Sequence, residues 1–190
     1  MMHPLYEAFP ETVMVDGYPY HIRTDFRYVL RLIDTVEENP DEQECLAALL
    51  FMYDEEIPHD LEAAIYAISN FILGKEESPK EGEKDEEEDR KKTLSFSKDA
   101  PFIAGDFLRF YQMDLTRVKY LHWKKFQFLL DGLPEESETK KRIAYRAMDA
   151  GKIKDKHERE RILRIQRNIA LEDTEADAGR IGELFGGLMG

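Results

Sequence analysis

The fourteen residues Leu121–Pro134, LHWKKFQFLLDGLP, constrain the fold of this chain most, because they combine its only tryptophan, several other large apolar groups and a sharp stop. Trp123, Phe126 and Leu130 recur at i, i+3 and i+7, with Leu129 and Leu133 beside them, while Lys124, Lys125 and Gln127 fall elsewhere round the wheel. This spacing predicts an amphipathic helix with one heavy face. Gly132 is placed to take the left-handed conformation just past its end, and Pro134 cannot continue it, so the helix is expected to stop near Leu130 to Asp131. Each such side chain contributes about 1.5–3 kcal/mol when buried. The stripe can therefore form the centre of a core, or serve as a groove for a partner.

A chain of 190 residues with 42% apolar content holds one domain or two small ones. No run approaches the roughly eighteen apolar residues that span a bilayer. The start, MMHPLYEAFPE, has neither the basic region nor the apolar run of a signal peptide, so the expected location is the cytoplasm. Cys45 is the only cysteine and lies among Leu46, Ala48 and Leu49, which excludes an intrachain disulfide and reads as core.

The net charge of −13 disfavours general nucleic-acid binding, but it hides a gradient. Residues 1–74 carry 3 basic against 15 acidic groups, and residues 117–167 carry 15 basic against 8 acidic. An acidic front and a basic back can attract each other within one molecule or head to tail between copies. Two solvated surfaces of opposite sign are the plainer alternative.

Along the chain the pattern is mainly α, with a short N-terminal β-hairpin, small helical bundles and an acidic linker or loop in the middle. Four segments are expected: 1–74, a hairpin and helical unit; 75–98, the linker; 99–171, a second helical unit; and 172–190, a Gly-rich tail. Thr12–Val15 and Tyr18–Ile22 flank Asp16-Gly17, a turn pair that tolerates positive φ, and Pro19 implies an edge strand. Thr24 or Asp25 can cap a helix carrying Phe26, Val29, Leu30, Ile33 and Val36. Asn39-Pro40-Asp41-Glu42 reads as a restart, with Asn39 as the cap and Pro40 first in the helix, followed by a face of Cys45, Leu46, Leu49, Leu50 and Met52. A third helix is expected from about Pro58 to Gly74. Lys75–Lys92 contains no apolar residue and cannot offset its ordering entropy by burial. Beyond it, Asp99 can cap a helix with Phe102, Ile103, Phe107, Phe110 and Tyr111. Ser137 opens another with Ile143, Ala144 and Ala147 inside and Lys140, Lys141, Arg142 and Arg146 largely outside. Asp155-Lys156-His157-Glu158 resembles a capping box and opens a helix with Ile162, Ile165 and Ile169.

No catalytic, cofactor or metal residue is expected. His157-Glu158-Arg159-Glu160-Arg161 begins like a zinc-protease helix, but Arg161 stands where the second histidine must face the metal. His3, His21, His59 and His122 are scattered, and no nucleophile elbow or phosphate loop is present. Basic helices between Lys140 and Arg167 could meet phosphates, although Tyr145 is their only aromatic. Several short amphipathic helices without a site favour protein binding.

The phrase Gly17-Tyr18-Pro19-Tyr20-His21-Ile22-Arg23-Thr24-Asp25-Phe26-Arg27 resembles the phage gene-product-fifteen family of tailed phages. The same holds for Asp114-Leu115, for Leu121-His122-Trp123-Lys124-Lys125-Phe126 with Leu129 to Pro134, for Lys141 to Arg146, and for the closing helix Glu158 to Leu171. The acidic stretch 75–92 and the extension after Leu171 depart from that pattern. The resemblance implies a non-enzymatic protein encoded among siphophage tail genes, a tail assembly chaperone that coats the tape-measure protein until tail-tube subunits replace it. The implied partners are the tape-measure protein, further copies of the chain along that client, and possible contact with the major tail protein. The implied location is the host cytoplasm during assembly, without retention in the mature virion. Trp123, Phe126 and Leu130, with Arg142 and Arg146, are the candidate protein-binding residues. A structural tail component kept in the virion, and a nucleic-acid-binding regulator using Lys140 to Arg167, are the alternatives.

Overall fold

Asp16 and Gly17 both take positive φ, 51° and 81°, which builds the tight hairpin turn whose twist matches the flanking strands. In the computed structural model, which describes residues 5–38, 41–74 and 92–171, strand β1 (Thr12–Val15) pairs antiparallel with β2 (Tyr18–His21), Val15 opposite Tyr18 and Met14 opposite Pro19. In a two-residue hairpin the Val15–Tyr18 pair is hydrogen-bonded, so the Met14–Pro19 pair is not, and the missing N–H of Pro19 costs no ladder bond. Seven α-helices accompany this hairpin among the described residues, giving the mainly helical fold that the periodicities predict. Residues 75–91 of the acidic stretch and the tail 172–190 lie outside the described residues, as do Asn39 and Pro40.

The described chain divides into two compact units. The first comprises 5–38, 41–74 and 119–128, and the second comprises 92–118 and 129–171. Segment 119–128, grouped by sequence order with the C-terminal helices, packs in the first unit because its backbone and its tryptophan bond to residues 24–27 and 72.

In the first unit, α1 (Phe26–Glu38) buries Phe26, Val29, Leu32, Ile33 and Val36, with Leu32 taking the inward place expected of Leu30. The Asp25 carboxylate accepts the Arg27 N–H at 3.1 Å and caps the helix. Helix α2 (Glu42–Leu50) begins behind Asp41, whose carboxylate accepts the N–H of Gln43, so Asp41 and not Asn39 is the cap. Cys45 and Leu49 face inward, and Met52 is buried just beyond the helix. Helix α3 (Leu61–Leu73) starts at the Asp60 cap rather than at Pro58. It ends at Gly74, which has a φ of 73° and donates its N–H to the carbonyl of Asn70. A side chain there would strain the backbone and crowd the Lys124 ammonium, 3.1 Å from the position of an added Cβ.

In the second unit, α4 (Phe96–Tyr111) is capped by Ser95, whose hydroxyl accepts the Lys98 N–H. Asp99, the expected cap, is instead fully buried in the first turns, where its carboxylate accepts the Ser95 N–H at 3.1 Å. Helix α5 (Trp123–Asp131) gives its residues to Phe128 to the first unit and those from Leu129 to the second. Gly132 is not left-handed; the Leu133 N–H turns back to the Leu130 carbonyl at 3.3 Å, and Pro134 completes the stop. Helix α6 (Glu138–Ala147) has its cap at Ser137 as expected, but its inward face is Thr139 and Arg146. Ala144 and Ala147 are exposed and Ile143 is half-buried, so the inward face, marked by Thr139 and the paired Arg146, lies about a quarter turn from the one the apolar residues predict. After a 3-10 turn at Ala150–Lys152, α7 (Lys156–Ile169) is capped by Asp155, which accepts the Glu158 N–H at 2.7 Å. The Glu158 carboxylate bonds Arg161 at 3.0 Å instead of reaching back, so only half of the capping box forms. Ile162 is the buried residue of α7.

Candidate functional site

Two sequence phrases far apart in the chain join in the first unit. The Phe26 N–H donates to the Leu121 carbonyl at 2.9 Å, and the Trp123 N–H to the Thr24 carbonyl at 2.7 Å. Asp25 sits at the crossing. One carboxylate oxygen accepts the Arg27 Nε–H at 2.7 Å, and the other accepts Arg27 Nη2 at 2.8 Å and the Leu121 N–H at 3.1 Å. Burial pushes the Asp25 pKa up, but the Arg27 side chain and the N–H groups of Arg27 and Leu121 outweigh it, so the carboxyl titrates below its usual range. Arg27 also donates to the Lys119 carbonyl at 2.9 Å, and the hydroxyls of Thr24 and Tyr120 share a hydrogen bond of 2.7 Å.

This crossing fixes the entry to α5 and seats its aromatic face. Trp123 is 2% exposed and Phe126 1%. Phe126 stacks on Phe26 at 4.9 Å and on Trp123 at 5.6 Å. The indole N–H of Trp123 donates to the Ile72 carbonyl at 3.0 Å, which also accepts Gln127 at 3.3 Å. The buried polar end of the tryptophan is thereby satisfied. These side chains are core, so a partner reaches this face only through what surrounds it.

His122, one of the scattered histidines, is buried here as well. Its Nε2–H donates to the Pro10 carbonyl at 3.0 Å, its Nδ1 accepts the Lys124 N–H at 3.1 Å, and Phe9 stacks on the ring at 5.0 Å. Both nitrogens are thus used by the neutral ring. Desolvation lowers its pKa, as does the charge of Lys124, and the Pro10 carbonyl and Glu11 only partly oppose this. Lys124, placed outward by the helical wheel, is half-buried with its ammonium 5.6 Å from the Phe71 centroid, and burial lowers its pKa too.

The other candidate residues belong to the second unit. Leu130 is buried. Arg146, expected on the outside, is 4% exposed and spends its donors on Asp99 at 2.5 and 2.9 Å, the Thr93 carbonyl at 3.0 Å and the Ile169 carbonyl at 2.8 Å. It ties together α4, α6, the end of α7 and the lead-in to α4. Arg142 is half-buried, with its guanidinium 3.5 Å from the Phe102 centroid and 4.0 Å from Asp99. Nearby, Asp106 accepts the N–H groups of Glu138 and Thr139 at 3.3 and 2.8 Å, a second carboxylate on the start of α6. Amphipathic periodicity could not find Asp99, Asp106 and Arg146, since it places charged residues outside.

The surface offers large apolar groups. In the first unit Tyr66, Leu73, Tyr120 and Phe128 are each about half exposed, and Phe128 tilts against Phe9. Among the described residues no group of three or more His, Cys, Asp and Glu could hold a metal, and no helix is long and apolar enough to cross a membrane.

The model of a known family, described as Bacteriophage Gp15 protein, matches residues 5–171. No curated protein and no solved structure matches. The match includes both phrases that meet at Asp25 and Leu121, the α5 aromatic face and the Asp99–Arg146 pair, and on it the chain belongs to the bacteriophage Gp15 protein family.

Proposed function

We propose that this phage protein is a tail assembly chaperone that binds the tape-measure protein, self-associates in several copies along it and yields its place to the major tail protein. Family membership carries the reading. The half-exposed apolar side chains support it, because a chaperone of a long helix needs apolar purchase that is weak enough to be displaced. The surface assigned to the client is the outer side of the α5 entry, where Lys125, Phe128 and Tyr120 are exposed. Trp123 and Phe126 support that surface from beneath by holding the first turns of α5 in place. Leu130 and Arg146 are buried in the second unit, where Arg142, half-buried over Phe102, is the residue assigned to an acidic partner. The reading assigns no reaction to the protein and places it in the host cytoplasm.

Co-expression with the tape-measure protein of the same phage tests the proposal: the client stays soluble with the chaperone and precipitates without it. A client equally soluble alone, or insoluble in both cases, refutes it. Purified virions are expected to lack the protein; finding it there in fixed copy number favours a structural tail component. The exposed Arg164 and Arg167 of α7 are where a nucleic-acid regulator would hold phosphates, and a salt-dependent DNA shift would favour that reading.

A further inference from the structure

Beside the hairpin turn, Tyr18, Pro19, Tyr20, His21, Glu55 and Glu56 line an open cleft of about 240 Å³. Its two walls are joined by backbone bonds. Ile22 bridges to Tyr53, the Asp54 N–H donates to the His21 carbonyl at 3.0 Å, and the Arg23 N–H donates to the Met52 carbonyl at 2.7 Å. Behind them, Tyr20 sits edge-on to Tyr53 at 6.1 Å, and the Tyr53 hydroxyl donates to the Ala64 carbonyl at 2.7 Å. Glu55 and Glu56 are thus held next to two tyrosine rings by a built scaffold, not by a free loop.

The chemistry of the cleft is one-sided. Glu55 and Glu56 have no ion pair among the described residues, and Tyr18 and Tyr20 add aromatic side chains to the lining, in which His21 is the one basic residue. Arg23, two residues beyond the cleft-lining His21, is engaged elsewhere: it pairs with Asp54 at 3.0 Å, donates to the Phe51 and Tyr53 carbonyls and stacks on Phe51 at 4.3 Å. A lining of tyrosines, a proline and two carboxylates suits a cation on a long apolar stem, which is an arginine or lysine side chain.

The chain itself carries such groups. On α7 Arg164 and Arg167 are exposed on the side opposite the buried Ile162, with Leu163 beside them. Arg161 is held by Glu158, whereas Arg164 has no ion pair among the described residues. The acidic excess of residues 1–74 and the basic excess of 117–167 give two copies the long-range attraction to find this register.

We propose that the tyrosine–glutamate cleft receives Arg164, with Arg167 beside it, from α7 of a second copy, making a head-to-tail contact between copies. Such a contact does not close on itself and can propagate along a client. The proposal rests on the self-association part of the chaperone reading and names its surface.

Sedimentation of the full chain without any client, over a hundredfold range of concentration at low and high salt, tests it. Association is expected at low salt and should weaken as salt rises. Glu55→Lys with Glu56→Lys, and separately Arg164→Glu with Arg167→Glu, should each weaken association by about tenfold or more, the scale of one lost interfacial charge pair. All four side chains are exposed, and unchanged circular dichroism checks the fold; Tyr18→Ala offers a second, uncharged lesion in the cleft. Mixing the two charge-reversed variants should restore association, since each still holds the intact half that the other lacks. A wild-type chain monomeric throughout overturns the proposal, as do variants that associate like wild type or variants that mixing does not rescue. Client solubility in co-expression is read separately, so the chaperone role can stand when this contact fails.

Discussion

The carboxylate of Asp25 accepts the backbone N–H of Leu121 at 3.1 Å across 96 residues of sequence. Through this bond and its neighbours, the strand-to-helix corner at Thr24–Arg27 determines where α5 begins. Asp25→Ala removes the α1 cap, the Arg27 pair and the Leu121 acceptor together. A loss of about 2–4 kcal/mol is expected, a cap plus a buried unsatisfied donor, read from the urea midpoint at an unchanged slope.

Trp123 reports on the same junction, because it is the only tryptophan. Its native fluorescence should be shielded from acrylamide, and Trp123→Ala should cost about 3–5 kcal/mol. Phe128→Ala, at a position 49% exposed, should stay within about 0.5 kcal/mol of wild type while lowering client binding. A large stability loss from Phe128→Ala would remove it from the surface.

Arg146→Met leaves the buried Asp99 with the Ser95 N–H and, as its remaining cation, Arg142 at 4.0 Å, and should cost about 3–5 kcal/mol. The double variant Asp99→Leu with Arg146→Met should lose less than the sum of the single changes, since neither charge is then stranded. Thermal unfolding of the four proteins of the cycle measures the difference. Strict additivity would contradict the pairing.

His122 gives stability a pH dependence of known sign. Its folded pKa lies below the unfolded value of about 6.5, so the unfolded chain binds more protons, and stability rises with pH through that window. The His122 contribution is complete above about pH 6.5 and is lost as pH falls toward and through the depressed folded value. His122→Phe should flatten this part of the urea-midpoint profile. Asp25, with a lowered pKa, adds a separate loss only at more acidic pH. Asp34 acts in the opposite direction: burial first, then Glu37 and Glu38, raises its pKa, so Asp34→Asn should stabilise the protein at neutral pH.

The hairpin and most helix positions were legible in the residues, because turn chemistry and capping are local. Asp16-Gly17, Gly74, Ser137 and Asp155 each specify their own backbone within a few residues. The α5 stripe was also legible, and Trp123 and Phe126 are as deeply buried as its spacing implies. What periodicity could not supply was the partner. Segment 119–128 joins the first unit through long-range backbone bonds that leave no trace in hydropathy. Likewise, α6 turns Arg146 inward, where it is neutralised by Asp99, 47 residues away. The tyrosine–glutamate cleft has no local signature, because its residues meet only where β2 and residues 52–54 run side by side.

The chaperone role stands or falls on the mass of the complex purified after co-expression with the tape-measure protein. A soluble complex with many copies of this chain per client is expected. Phe128→Ala should lower its yield, and the reversed cleft should lower its copy number. A client that never co-purifies with the chain, with the chain found instead in mature virions, would contradict it.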